Sequence, residues 1–204
     1  QGYLARHGSN DTIARRILAA MRLEDIAKLK GGTLEVAHGD VANLAQMRHV
    51  IEAVTAQQGK ITGVIHAAGV LDDGPLLAKS DAAIEAVLDP KVQGVRVLDQ
   101  LLPDGALEWM ILFSSTSTAT RSAGQVDYVA ANAWLNAYAA SRKGGQTRVI
   151  AINWGIWADV GMAATAIGGA ASDTLPARAV NAALIDTIGA DAAGQTILKA
   201  QIRS

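Results

Sequence analysis

Four short apolar runs, Thr33 to His38, Ile61 to His66, Leu107 to Ser114 and Arg148 to Trp154, punctuate this chain, and each is followed by residues whose apolar positions recur at helical spacing. Runs of that length, bounded by Gly, Asp and Ser, predict buried strands, and the intervening stretches predict helices. The first helix is expected over Asp11 to Lys30, with Ile13, Ile17 and Met21 on one face, Ser9, Asn10 or Asp11 as the N-cap, and Gly31 and Gly32 as the stop. Further helices are expected over Asn43 to Gln58, Asp81 to Leu88, Pro90 to Leu102 and Val126 to Lys143, with Pro90 in a first turn and Gly144 and Gly145 ending the last of these. Beyond Ile167 an Ala- and Gly-rich stretch leads to a helix over Leu175 to Ile188 and a final strand over Thr196 to Ile202. Strand and helix in alternation imply βαβ units and a parallel sheet covered by helices, because a parallel crossover has to travel back the length of the strand.

Composition narrows the class. The 204 residues suit one domain with a buried core. Half of them are hydrophobic, yet no apolar run approaches the ~20 residues that a bilayer crossing needs, so the apolar weight belongs to strands and helix faces, and a soluble, cytoplasmic protein is expected. Lys and Arg total 18 against 19 for Asp and Glu, with neither sign clustered, which argues against a nucleic-acid or membrane partner. The absence of cysteine removes disulfides, thiolate catalysis and cysteine-ligated zinc, and the four histidines lack metal-ligand spacing, so no metal is expected.

Candidate chemistry concentrates between Phe113 and Asn132. Ser115 stands at the carboxyl end of a predicted strand, the edge where open α/β sheets bind ligands. Tyr128 and Asn132 are four apart on a predicted helix and therefore share a face. Taken singly, each also reads as ordinary structure: Ser115 as a loop cap, Tyr128 as a core residue, Lys91 as a solvated lysine.

The order of several spaced segments resembles a family, the ketoreductase domains of modular polyketide synthases, within the short-chain dehydrogenase/reductase superfamily. The matching pieces are Gly39-Asp40-Val41, Gly63 to Gly74 (GVIHAAGVLDDG), Pro90-Lys91-Val92, Leu112 to Ser115, Ser122 to Tyr128, Ala130 to Leu135, Asn153 to Trp157, and Gly161-Met162. The resemblance implies a Rossmann-like, doubly wound, three-layer parallel sheet. It makes Tyr128 the proton donor to a carbonyl oxygen, Ser115 a hydrogen-bond donor to the same oxygen, and Lys91 and Asn132 the remaining relay and orienting groups. A phenol is a poor acid–base group at neutral pH unless a nearby cation favours its ionised form, and the Lys91 ammonium is suited to that. Most of the superfamily has lysine four residues after the tyrosine. Asn132 stands there instead, with the lysine at position 91, which is a mark of the polyketide-synthase type.

The resemblance further implies NADPH as cofactor. Ala67, Ala68 and Gly69 would let it approach the backbone. Asp40, beside Val41, matches the residue that meets the adenine amino group, although an Asp after a strand serves equally as an N-cap. Arg6 matches the holder of the 2′-phosphate, although a lone arginine near a chain end is commonly just solvated. Leu71-Asp72-Asp73 marks a B-type reductase giving the D alcohol, as does Thr120 where the opposite class has Trp, and the bland alternative is a solvated turn. Asp73, Gln125, Trp154 and Met162 fall in the substrate and stereocontrol region, together with Trp157, though core packing would also account for the tryptophans.

A Rossmann-like reductase opens with a Gly-rich turn for the pyrophosphate, and none is found here, since Gly2 to Arg6 fits the family's second strand better than its first. The expectation is therefore a single ketoreductase domain over 1–204, amino-terminally truncated and lacking the first strand and glycine loop. Such a chain should bind NADPH weakly in isolation. The implied activity is reduction of a β-ketoacyl thioester on an acyl carrier protein, within a larger synthase making polyketides or fatty acids. The alternative is a reductase-like domain without turnover that serves packing in such a synthase.

Overall fold

The computed structural model describes residues 37–155, which form one compact unit. Its elements in chain order are α1 (Leu44–Gln58), β1 (Gly63–His66), a single 3-10 turn (Leu76–Ala78), α2 (Asp81–Leu88), α3 (Val92–Leu101), β2 (Trp109–Ser115), α4 (Ser117–Thr120), α5 (Val126–Ser141) and β3 (Arg148–Trp154). Three of the four strands expected from the apolar runs between Thr33 and Trp154 fall here. Of the fourth, at Thr33 to His38, only Ala37 and His38 are described, and neither lies in a strand. The expected helices at Asp11 and Leu175, the last strand and the question of a first strand with its glycine loop all lie outside the described residues.

The strands make a parallel sheet in the order β1-β2-β3, with Gly63 opposite Trp109 and Trp109 opposite Arg148. Parallel pairing puts every carboxyl end at one edge, and the register carries β2 three residues past the end of β1, as far as Ser115 beside Trp154. In the middle strand Met110, Ile111 and Leu112 are all buried, as expected where both faces of a strand are covered. Val95 and Leu98 of α3 and Leu135 and Ala139 of α5 join Leu107, Met110 and Leu112 in one core cluster.

Local chemistry sets the ends of these elements. Asn43 caps α1 by accepting from the Gln46 N–H at 3.1 Å, and Gly59, at φ +83°, ends it with an N–H to the Thr55 carbonyl. Ser80 accepts from the Ala83 N–H at 3.2 Å and starts α2. Pro90 departs from expectation: it sits in the turn before α3, whose N-cap is Lys91. The chain turns sharply there, with the Gly94 N–H reaching back to the Asp89 carbonyl at 2.9 Å. That turn drives the lysine side chain into the interior instead of leaving it on a helix surface.

Candidate active site

Ser115 lies at the sheet's carboxyl edge, Lys91 at the N-cap of α3, and Tyr128 and Asn132 in the first two turns of α5. Lys91 is only 3% exposed, and its Nζ donates to the Phe113 carbonyl at 2.8 Å and lies 5.9 Å from the centre of the Tyr128 ring. Burial pulls the ammonium down to about 8. Asn132 is fully buried. Its Nδ2 donates to the Tyr128 carbonyl at 2.7 Å, and its Oδ1 has no partner among the described residues. A buried acceptor left open is costly in a folded core, so Asn132 is suited to receive a hydrogen bond from a group that arrives later.

Ser115 accepts from the Ser117 N–H at 3.1 Å, and a hydroxyl used in that way keeps its own hydrogen to donate. Its neighbour Ser114, which the sequence did not single out, points the other way and donates to the Asn132 carbonyl at 3.1 Å, tying β2 to α5. One strand-end pair thus divides its labour, as alternation of side chains along a strand requires. His66, likewise not singled out, ends β1 and is 3% exposed. Burial first, and the Lys91 charge second, lower it to about 4, so it is neutral at physiological pH.

Of the residues expected to meet the cofactor, Asp40, Val41, Ala67, Ala68 and Gly69 are among those described. Ala67 is exposed, and Ala68 and Gly69 are half-buried, immediately after β1, so the backbone there is open to a sugar or a flat ring. Asp40 is exposed, and its carboxylate accepts from the Ala42 N–H at 2.9 Å, a local turn of the kind aspartate side chains often make. Val41 packs where α3 comes closest: a Cβ on Gly94 would stand 3.0 Å from Val41 Cγ1 and 3.1 Å from His66 Cε1. Small residues beside an open carboxyl edge, with an ammonium, a hydroxyl and an amide at hand, fit a nicotinamide cofactor and a carbonyl substrate.

Asp73 and Gln125 meet, the amide Nε2 donating to the carboxylate at 2.8 Å, and the Gly74 N–H donates to the Gly124 carbonyl at 2.9 Å. Gly124, at φ +81°, occupies a conformation that glycine adopts without strain. Trp154 is 8% exposed, with its ring 5.3 Å from that of Phe113 and tilted by 58°. Arg6, Trp157 and Met162 lie outside the described residues.

Lys79 and Asp127 also escaped the sequence reading. They form a buried ion pair beside Tyr128, but 48 residues separate them, and no local pattern announces a contact at that distance.

With a parallel sheet flanked by helices, Lys91 against the Tyr128 ring, Asn132 bonded to the Tyr128 carbonyl and Ser115 at the carboxyl end of β2, the described unit is of the short-chain dehydrogenase/reductase type. The family model described as "KR domain" matches residues 3–159, and the chain belongs to that family, the ketoreductase domains of polyketide synthases within the short-chain dehydrogenase/reductase superfamily. Polyketide synthase PksN of Bacillus subtilis (strain 168) is 37% identical over 141 residues, covering 65% of this chain and 2% of the relative. An N-terminal ketoreductase from the macrolactin assembly line superposes with a TM-score of 0.68 at 29% identity, over 80% of this chain and 33% of that one. An A1-type ketoreductase gives 0.62 at 33% identity, over 69% and 30%. The chain spans between 2% and 8% of the length of the first curated relatives it matches.

Proposed function

We propose that this chain reduces a β-ketoacyl thioester, presented on an acyl carrier protein, to a β-hydroxyacyl thioester, using NADPH, as one domain of a larger cytoplasmic synthase that assembles polyketides. The observation that carries this reading is the buried Lys91 ammonium held against both the Phe113 carbonyl and the Tyr128 ring. A cation costs several kcal/mol to bury without a strong reason, and raising the acidity of a nearby phenol is such a reason.

Bound NADPH supplies a hydride. Ala67, Ala68 and Gly69 would admit its ribose units, Asp40 and Val41 would flank the adenine, and Arg6 would meet the 2′-phosphate. At the substrate, Tyr128 donates its phenolic proton to the carbonyl oxygen as carbon gains the hydride, and the Ser115 hydroxyl donates a hydrogen bond to the same oxygen. The Lys91 ammonium stabilises the phenolate that remains and passes on a proton, and the open Asn132 Oδ1 receives the donor that completes the relay. One hydride and one proton thus enter the carbonyl, and no other oxidant or reductant is needed.

Stereochemistry is read from residues, not from overall similarity, because an A1-type relative is similar too. Asp72, Asp73 and Thr120 support the B type and a D alcohol, with Gln125 holding Asp73 in place, and Trp154 and Met162 belonging to the substrate side. The test is loss of NADPH absorbance with a short β-ketoacyl thioester, using the intact polypeptide that carries this sequence, followed by chiral analysis of the alcohol. A D product from the native protein and none from Tyr128→Phe is expected. No turnover by the native protein would point instead to a reductase-like packing domain.

A further inference from the structure

Lys79 has no part in the reduction chemistry described above, yet its side chain is only 7% exposed. Its ammonium pairs with Asp127, whose side chain is 2% exposed, and lies 3.5 Å from the carboxylate of the solvent-facing Asp72. Hydrogen bonding to Asp127 holds the ammonium above the usual lysine range, with burial opposing. Asp127 is engaged on both oxygens, because Oδ1 also accepts from the Tyr128 N–H at 2.9 Å. A single carboxylate therefore joins Lys79 to the backbone of the proposed proton donor.

The same loop is laced to the start of α5 at two further points, Gly74 to Gly124 and Asp73 to Gln125. The Asp73–Gln125 bond is exposed, where water competes for both partners, whereas the side chains of the Lys79–Asp127 pair are only 7% and 2% exposed and meet less of that competition. The loop that carries Asp72 and Asp73 thus rests on a buried charge pair for its position relative to Tyr128.

The geometry points to Lys79 as a positioning residue that sets stereochemical fidelity: through Asp127 it holds the 72–79 loop in register with the helix turn that carries Tyr128. This rests on the reductase reading. The two faces of a ketone are told apart only if the wall that orients the substrate and the group that protonates it keep a constant separation. Small displacements of such groups carry large kinetic penalties.

The experiment uses the intact polypeptide with Lys79→Met, Lys79→Arg and Asp127→Asn, a short β-ketoacyl thioester and NADPH. It reads the ratio of alcohol stereoisomers, kcat and KM separately, and amide hydrogen exchange over residues 72–79. With Lys79→Met the minor alcohol is expected to rise roughly ten-fold and kcat to fall roughly ten-fold, with KM changing less and the loop amides losing protection. Lys79→Arg keeps the charge and should restore most of each readout. Should Lys79→Met not fold, Asp127→Asn, which keeps an acceptor but removes the charge, is expected to move every readout in the same direction. An unchanged alcohol ratio, unchanged loop protection, or a defect that arginine does not rescue would overturn the inference. If the native protein yields no alcohol, the reductase reading fails, and the exchange measurement alone still decides whether Lys79 holds the loop.

Discussion

At the residue scale, Lys91 brings two opposing pH trends together. Burial lowers its ammonium from 10.5 to about 8, so reduction that depends on the charged form should decline as pH rises through about 8, by roughly ten-fold per unit beyond it. Stability should run the other way. Between about 8 and 10.5 the unfolded lysine keeps a proton that the folded one has released, so the unfolded state binds more protons and folding becomes more favourable as pH rises. A pH–rate profile and denaturant melts across that window check both arms, and Lys91→Met should remove the stability trend together with the activity. Tyr128→Phe tests the proton donor more directly. It leaves the Asn132 bond to the Tyr128 carbonyl intact, because that bond uses backbone, and should cut kcat at least ~100-fold with little change in melting temperature.

Elements transmit these requirements through close approaches. β1 and α3 come together at Gly94, where a methyl group would press on Val41 and His66 at 3.0 and 3.1 Å. Gly94→Ala should therefore destabilise the fold by about 1–3 kcal/mol, measured by urea unfolding. It should also disturb the α3 turn that directs Lys91 inward. Gly63 is tighter still: a Cβ there would fall 2.2 Å from the Trp109 ring on the paired strand. β1 pairs with β2 around that ring, and a side chain at position 63 would force it to shift.

For the whole molecule, the reading as a nicotinamide-dependent reductase makes a thermodynamic prediction independent of turnover. A ligand that binds only the folded state stabilises it by mass action, by about 2.7 kcal/mol at one hundred times its Kd. NADPH should raise the melting temperature of the intact polypeptide, and an unchanged melting curve at millimolar NADPH would contradict cofactor binding. The same titration separates a domain that binds the cofactor from one that has kept the fold alone, and turnover is read by the absorbance assay.

Much of this molecule is legible along the chain, because hydrophobic period and capping are local. α2 was expected over Asp81 to Leu88 and β3 over Arg148 to Trp154, and both are found at those bounds, the first started by the Ser80 hydroxyl. Lys91, Ser115, Tyr128 and Asn132 could be named because their order and spacing match a family. The meeting of Lys91 with the Phe113 carbonyl and the Tyr128 ring depends on the parallel register that carries β2 past β1 and on the turn at Pro90 that sends Lys91 inward. The open Oδ1 of Asn132, the neutral His66 and the division of work between Ser114 and Ser115 were settled only by packing. So was the pairing of Lys79 with Asp127, because burial and charge partnership are relations between distant segments, and no residue states them by its identity alone.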